Sequence, residues 1–326
     1  MSGRCDISGD AQDRPAVGTP DVVGDLGEFG LVGRVIGRLR MGPDVLVGPG
    51  DDAAVLAAPD GRVVATTDLL VEGRHFRRDW SSGYDIGRRA AAANLADVVA
   101  MGARPTALLV GLGVPADVTV EWTDAFTDGL ADEAAEVGAS IVGGDVVRAD
   151  LVIVAATALG DLGGHRPVTR AGARPGDVVV AAGRLGWAAA GLRLLHDGVT
   201  TGRLPDALRR PAPPYAVGPA LAALGATAML DVSDGLAADL GHVAAASGVR
   251  VDLDLDALRT LATDGVTDDD ILTGGDDHAL VATVPPEITV PEGVVVIGVV
   301  TDGSGVHAGG RAIFGGHDHF GASAPS

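Results

Sequence analysis

The chain has 326 residues, 24 basic against 44 acidic, a formal net charge of −20, and every basic residue is an arginine. A chain without lysine has no P-loop lysine, no protein-kinase strand lysine and no Schiff-base lysine. Its single cysteine, Cys5, excludes an intramolecular disulfide, a cysteine zinc site and an iron–sulfur cluster. The acidic balance argues against nucleic acid and anionic membranes as partners, since both demand clustered positive charge, and suits a protein that recruits cations.

At 47% hydrophobic and 21% charged, the composition is globular, and the length favours two domains. Aromatics contribute 3%, so Ala, Val and Leu must build the core, while 49 glycines point to tight turns and close backbone approaches. No window resembles a signal peptide. The longest apolar stretch, 151–159, is too short to span a bilayer, so the cytoplasm is expected.

In chain order, residues 1–25 are rich in Gly, Asp and Pro without periodicity and are expected to form a disordered leader. Phe29, Val32, Val35, Ile36 and Leu39 fall at helical spacing and predict a helix over 26–40. Short strands are expected at 45–47 and 63–65, and an alanine-rich helix over 85–101, stopped by Gly102 with Pro105 beyond. A second helix follows over 121–137, ending at Gly138, then strands at 140–142 and 151–158. Gly, Pro and Arg concentrate over 160–177 and mark a domain boundary. After it come a strand at 178–182, helices over 185–196 and 217–224, and a strand at 228–232. A helix carrying Leu236, Leu240 and Val243 precedes strands at 251–255, 280–284 and 294–299. The expected fold class is α/β of the α+β type: two mixed units over 26–162 and 163–326.

Aspartates recur at the ends of apolar runs, beside glycine or a small hydroxyl residue. The contexts are Gly48-Pro49-Gly50-Asp51-Asp52, Thr66-Thr67-Asp68, Gly143-Gly144-Asp145, Asp231-Val232-Ser233-Asp234-Gly235 and Gly274-Gly275-Asp276-Asp277. Strand ends are where an α/β scaffold presents side chains to a ligand. Glycine lets backbone N–H groups approach a phosphate, and aspartate supplies the hard oxygen ligands that suit Mg²⁺. Each Gly-Asp pair also reads as turn chemistry: Asp234 could cap the helix beginning near Leu236, and Asp97 could be solvated or arginine-paired. Five repetitions weaken that alternative. The acidic runs 252–256 and 268–270 lack neighbouring glycine and read as solvated surface. Arg170, in Thr169-Arg170-Ala171-Gly172, is either a phosphate fork or a surface ion-pair partner. His75 either faces a ligand or serves a backbone group. Neither a His-Glu-x-x-His helix nor a Gly-x-Ser-x-Gly elbow is present.

Transfer of a phosphoryl group between two anionic phosphates needs many Mg²⁺-type ligands and no lysine. A phosphate monoester has a second pKa near about 6, so such an acceptor already carries its nucleophilic oxygen and no general base is required. Mutual repulsion of the reactants is the obstacle, and bridging divalent cations remove it.

These motifs resemble the thiamine-monophosphate kinase family, within the aminoimidazole-ribonucleotide-synthetase-like superfamily, from about residue 26 onward. The resemblance rests on Gly27-Glu28-Phe29-Gly30, the aspartate contexts above, Gly73-Arg74-His75-Phe76, Asn94-Leu95-Ala96-Asp97, Thr169-Arg170-Ala171-Gly172 and Asp318-His319-Phe320. It implies ATP-dependent phosphorylation of thiamine monophosphate to thiamine diphosphate, with several Mg²⁺ ions and no phospho-enzyme. It also implies a homodimer whose N-terminal sheets pair, with residues 26–162 binding ATP and Mg²⁺ and 163–326 completing the site. Asp52, Thr66, Thr67, Asp68, Asp97, Asp145, Asp231 and Asp234 match the family's magnesium positions. Gly144, Asp145, Arg170 and Ser233 match nucleotide contacts, and His75, Asp276 and His317 match contacts to thiamine phosphate. Two of these depart from the family pattern, which has Glu at Asp276 and an aromatic at His317. The shorter acid and the smaller ring imply weaker substrate affinity. Superfamily members that use a reactive cysteine fit less well, because Cys5 lies in the expected leader. A non-catalytic nucleotide- or metal-binding regulator is the rival from another class.

Overall fold

The computed structural model describes residues 22–49 and 53–317. Asp52, most of the expected leader and the Asp318-His319-Phe320 motif lie outside them. The first part contains helix α1 (Val23–Ile36), strands β1 (Val45–Val47), β2 (Val55–Leu56) and β3 (Val64–Val71), and helix α2 (Gly83–Ala100). Strand β4 (Arg104–Val114), helix α3 (Val120–Glu136) and strands β5 (Ser140–Arg148) and β6 (Ile153–Asp161) follow. Four strands form a sheet in the order β3-β6-β4-β5, in which only β4 and β5, joined through α3, run parallel.

Helix α2 starts where Ser82 and Asp85 form a reciprocal capping box. It lies unusually close to α3: a Cβ on Gly87 would stand 2.1 Å from the Phe126 carbonyl oxygen, and one on Gly129 would stand 2.2 Å from that of Tyr84. Glycine at the crossing lets the two backbones touch. Leu95, Val98, Leu108, Leu130 and Val154 fill the core between this helix pair and the sheet. Several features depart from expectation: α1 begins at Val23, inside the expected leader, and β5 runs on to Arg148, so Gly143, Gly144 and Asp145 lie within the strand rather than beyond its end. Strand β4 was not anticipated, because Pro105 reads as a helix stop; here it lies near the start of an 11-residue, mostly buried strand. Strand β3 extends to Val71, with Thr66, Thr67 and Asp68 in its middle rather than beyond its end.

The second part opens with β7 (Val178–Ala182), α4 (Trp187–His196), α5 (Arg203–Arg209), α6 (Val217–Leu224), β8 (Ala228–Val232) and α7 (Leu236–Ser247). It continues through β9 (Arg250–Leu253), α8 (Leu255–Arg259), α9 (Asp268–Thr273), β10 (Ala279–Val284), β11 (Val294–Thr301), β12 (Gly305–Ala308) and β13 (Arg311–Ile313). Its seven strands run β13-β12-β9-β11-β7-β10-β8, with β9 and β12 the parallel pair. Leu185, Leu236, Leu240, Val251 and Ile297 belong to one core cluster of this part. Val180, Met229 and Leu280 belong to another, together with Leu221 of α6 and Ala100 at the end of α2.

Helix α2 therefore serves both parts. The segment before α6 adds polar ties: Tyr215 hydrogen-bonds to the buried Glu133 of α3, and Arg210 pairs with Asp85 at 3.2 Å. The acidic runs prove to be helix starts as well as surface. Asp254 caps α8, and 268–270 form the first turn of α9, where negative charge suits the helix dipole. Among the described residues, no helix is long and apolar enough to cross a membrane.

Candidate active site

Strand β3 alternates sides, so Thr66 and Asp68 face helix α2 while Thr67 faces the other way. Thr66 Oγ1 donates to Asp97 Oδ2 at 2.7 Å. The Asp68 N–H donates to Asn94 Oδ1 at 3.1 Å, and Asn94 Nδ2 is anchored in turn on the Ala90 carbonyl at 2.9 Å. Thr67 instead bonds the Ala156 carbonyl and accepts from Thr157 on the opposite face. The three adjacent residues of one motif thus divide between two surfaces.

Asp231, at the end of β8, is 7% exposed, and its Oδ2 lies 3.0 Å from His278 Nδ1. Burial, then the charge of Asp231 and that of Asp68, push the Asp97 carboxyl up to about 7, with the Thr66 hydrogen bond opposing. Carboxylates from the first part and from the second therefore meet in one electrostatic field. Burial works against a charged His278, but its hydrogen bond to Asp231 and the charge of Asp231 hold it above the ordinary imidazole range.

The turn after β8 is shaped by a residue the sequence did not single out. Asp239 Oδ2 accepts the N–H groups of Ser233, Asp234 and Gly235 at 3.0–3.1 Å. Burial, and next the charge of Asp231, push its carboxyl up to about 7. The loop ahead of β10 folds onto this turn: the N–H of Asp276 donates to the Ser233 carbonyl, and that of His278 to the Val232 carbonyl, each at 2.9 Å. A Cβ on Gly275 would lie 2.3 Å from the Ser233 carbonyl oxygen, so glycine is required there. The His317 N–H donates to the Asp234 carbonyl at 2.8 Å, which brings the far end of the described chain to the same turn.

Asp276 and His278 are the non-glycine residues with positive φ, 65° and 50°, among those described. Asp276 pairs with Arg89 of α2 at 2.9 Å. Partial loss of water to its neighbours would raise its carboxyl, but Arg89, followed by His278 and His75, holds it below the usual carboxylate range. His75 accepts the Val71 N–H on Nδ1 at 3.0 Å. His75, Asp276 and the Asp231–His278 pair thus come together where α2 meets the second part.

Asp145 and Gly144 lie elsewhere. Strand β5 is the opposite edge of the first sheet from β3, three strand spacings away, on the order of 14 Å. The registers run Leu69–Ala155–Gly111–Asp145 across that sheet, so Asp145 shares the face of Thr67 rather than that of Asp68. Both residues line a cleft of 840 Å³ whose walls also include Val32, Val35 and Ile36 of α1 and Phe126 and Leu130 of α3. Gly144 is demanded by packing, since a Cβ there would sit 1.9 Å from the Val110 carbonyl oxygen. Arg170 is exposed, in the connection between the sheets.

Sequence reasoning missed Arg89, Asp239 and His278, and it named Asn94 and Asp277 only inside motifs, without a role. A signal for Arg89 and Asn94 existed. Arg89, Asn94 and Asp97 are the polar residues within an otherwise Ala-, Leu- and Val-lined stretch of α2, and such a helix buries its polar groups only with partners. Among the described residues, no group of three or more His, Cys, Asp or Glu side chains is close enough to hold a metal ion as it stands. The donor set nonetheless suits Mg²⁺: carboxylates and threonine hydroxyls are hard oxygen ligands, and the repulsion that raises Asp97 is what a cation would relieve.

Comparison with known proteins agrees with this architecture. The family model for AIR synthase related protein, N-terminal domain, matches residues 50–162, and that for the C-terminal domain matches 174–311. The thiamine-monophosphate kinase of Mycobacterium tuberculosis is 50% identical over 291 residues, spanning 85% of this chain and 86% of that one. The crystal structure of thiamine-monophosphate kinase from Stenotrophomonas maltophilia K279a superposes with a TM-score of 0.75 at 35% identity, covering 87% of this chain and 95% of that one. The structure of AaThiL complexed with AMPPCP and TMP gives a TM-score of 0.74 at 29% identity, over 91% of this chain and 98% of that one. The chain belongs to the AIR synthase related family and, within it, to the thiamine-monophosphate kinases.

Proposed function

We propose that this chain is an enzyme that transfers the γ-phosphoryl group of ATP to thiamine monophosphate, giving thiamine diphosphate and ADP, the last step of thiamine diphosphate biosynthesis. The observation that supports the reading is that α2, whose Asp97 accepts the Thr66 hydroxyl of β3, also packs against β8, the strand that carries Asp231, in a chain 50% identical over 291 residues to a named thiamine-monophosphate kinase. The acceptor's phosphate oxygen is already ionised, so the chain needs to bind and align rather than abstract a proton.

Thr66, Thr67, Asp68, Asp97, Asp145, Asp231 and Asp234 would hold Mg²⁺, with Asp52 beyond the described residues. When bound, Mg²⁺ supplies the positive charge that lets two phosphate-bearing reactants approach in line. Thr66 holds the Asp97 carboxylate, Asn94 fixes strand β3 at the Asp68 N–H, His278 orients Asp231, and Asp239 fixes the turn that carries Ser233 and Asp234. Gly144, Asp145, Arg170 and Ser233 would contact the nucleotide, and His75, Asp276 and His317 the thiamine phosphate. Residues 26–162 would then form the ATP- and Mg²⁺-binding domain, and 163–326 the domain that completes the site.

We also propose a homodimer in the cytoplasm. Leu69 (53% exposed), Leu109 (38%) and Val147 (53%) leave an apolar strip on the sheet face that carries Asp145, and pairing of two such faces would cover it. Sedimentation at micromolar concentration tests this: a monomer would overturn it. For the reaction, ADP release is measured with thiamine monophosphate, with thiamine and with no acceptor. Turnover confined to the monophosphate is expected, and equal ADP release in all three would overturn the reading.

A further inference from the structure

Arg89 is 5% exposed, an unusual position for an arginine, and its helix belongs to the first part of the chain while its partners belong to the second. Nη2 lies 2.9 Å from Asp276 Oδ2, and Nη1 donates to the Leu208 carbonyl at 3.4 Å. Burying a guanidinium is costly unless charge and hydrogen bonds compensate, so this residue is held for a purpose that packing alone does not explain. Asp276, by contrast, keeps 47% of its side chain exposed, and the contact uses one carboxylate oxygen.

The backbone of Asp276 is left-handed, a conformation aspartate tolerates better than most side-chain-bearing residues. Its φ of 65° is uncommon outside glycine, and contacts from the surroundings hold it there. Two restraints are visible: the Asp276 N–H on the Ser233 carbonyl and the Arg89 guanidinium on the carboxylate. Arg89 and Asp97 stand eight positions apart on α2, about 12 Å along the axis and on one side of it. The helix that presents the carboxylate cluster therefore also grips the loop carrying Asp276.

We infer that Arg89 is a positioning residue for the acceptor: it clamps Asp276 in its left-handed conformation so that the open carboxylate oxygen meets the cationic thiazolium end of the thiamine moiety. This rests on the reading of the site as a thiamine-phosphate site. Arg89 takes one oxygen of Asp276 and leaves the other for ligand, and it fixes the distance between the acceptor loop and the Asp68–Asp97 side of the cleft. Its effect is on the acceptor rather than on the nucleotide.

The experiment compares wild type, Arg89→Met, Arg89→Lys, Asp276→Asn and the Arg89→Met/Asp276→Asn double variant, with Michaelis constants for thiamine monophosphate and ATP measured separately. Arg89→Met should raise the constant for thiamine monophosphate by about tenfold or more and leave that for ATP within about twofold. Arg89→Lys, which keeps the charge, should recover part of the loss. In the Asp276→Asn background, Arg89→Met should add less than about twofold, because the arginine acts through that aspartate. Parallel rises in both constants, or effects that multiply fully in the double variant, would overturn the inference. Should Arg89→Met lose cooperative melting, Arg89→Lys alone and with Asp276→Asn reads the same split. Failure of the wild type to use thiamine monophosphate would instead sink the functional reading, so the two failures are distinguishable.

Discussion

His278 Nδ1 and Asp231 Oδ2 stand 3.0 Å apart, each residue 7% exposed, and their contact joins the end of β8 to the loop ahead of β10. Removing the imidazole would leave a buried carboxylate without that donor, at a cost of about 1–3 kcal/mol. His278→Leu should therefore lower the unfolding free energy in urea by that amount, while His278→Gln, which retains a donor, should lose less. Equal losses in the two variants would mean that the ring is present for packing alone.

Asp97 lies in the repelling field of Asp231 and Asp68. Asp97→Asn should raise the melting temperature of metal-free protein at pH 8 by about 1–2 °C, corresponding to roughly 1 kcal/mol in a chain of this size. The same variant should lose ADP-forming activity by about a hundredfold or more. Mg²⁺ should stabilise wild type much more than the variant, since a ligand that binds the folded state raises its melting temperature. Equal stabilisation of both by Mg²⁺ would remove Asp97 from the metal's surroundings.

Asp277 is 5% exposed and accepts the Ala188 N–H at 2.9 Å as well as that of Gly186, at the start of α4. Burial outweighs these donors and pushes its carboxyl up from 3.8 to about 7. The folded state thus holds a proton that the unfolded chain has released, and this contribution is complete below pH 3.8 and lost as pH rises through about 7. Wild-type stability should fall relative to Asp277→Asn between pH 5 and 8, by at most about 1.4 kcal/mol per pH unit. Thermal melts across that window should diverge; parallel curves would contradict the assignment.

Where α2 crosses α3, a single methyl group has nowhere to go. A Cβ on Gly87 would lie 2.1 Å from the Phe126 carbonyl oxygen. Gly87→Ala should cost about 2–4 kcal/mol by forcing the helices apart, although alanine is the better helix former. Denaturation midpoints measure it, and an unchanged or raised midpoint would show that the crossing is slack.

His317 is exposed, and its N–H is fixed on the Asp234 carbonyl at 2.8 Å. A larger ring held by the same backbone bond would offer a broader platform for a cationic heterocycle. His317→Trp should lower the Michaelis constant for thiamine monophosphate and leave that for ATP unchanged. No improvement would count against a stacking role for this position.

Much of the second part was legible from pattern. The strands 178–182 and 228–232 and the helix 217–224 coincide with β7, β8 and α6, because each is a short apolar run bounded by glycine or polar residues. Strand β4 escaped because Pro105 normally ends a helix, and β3 was shortened because Thr-Thr-Asp does not look like strand interior. The elements α5, α8, α9, β12 and β13 are each seven residues or fewer, too short for a period to emerge.

Composition and spacing by themselves pointed to the class of chemistry: arginine without lysine, no usable cysteine pair, and aspartates set beside glycine or small hydroxyl residues, although Asp68 and Asp145 prove to lie inside strands. That much follows from side-chain inventory, which does not depend on how the chain folds. Tertiary structure alone decided that Thr66 and Asp68 turn towards Asp97 while Thr67 turns away, and that Asp145 lies at the far edge of the sheet. It alone brought Arg89 to Asp276 and His278 to Asp231, across 187 and 47 positions of sequence. The reason is geometric: strand alternation and helix crossing set which neighbours share a face, and a charge's partner is whichever group that packing leaves beside it.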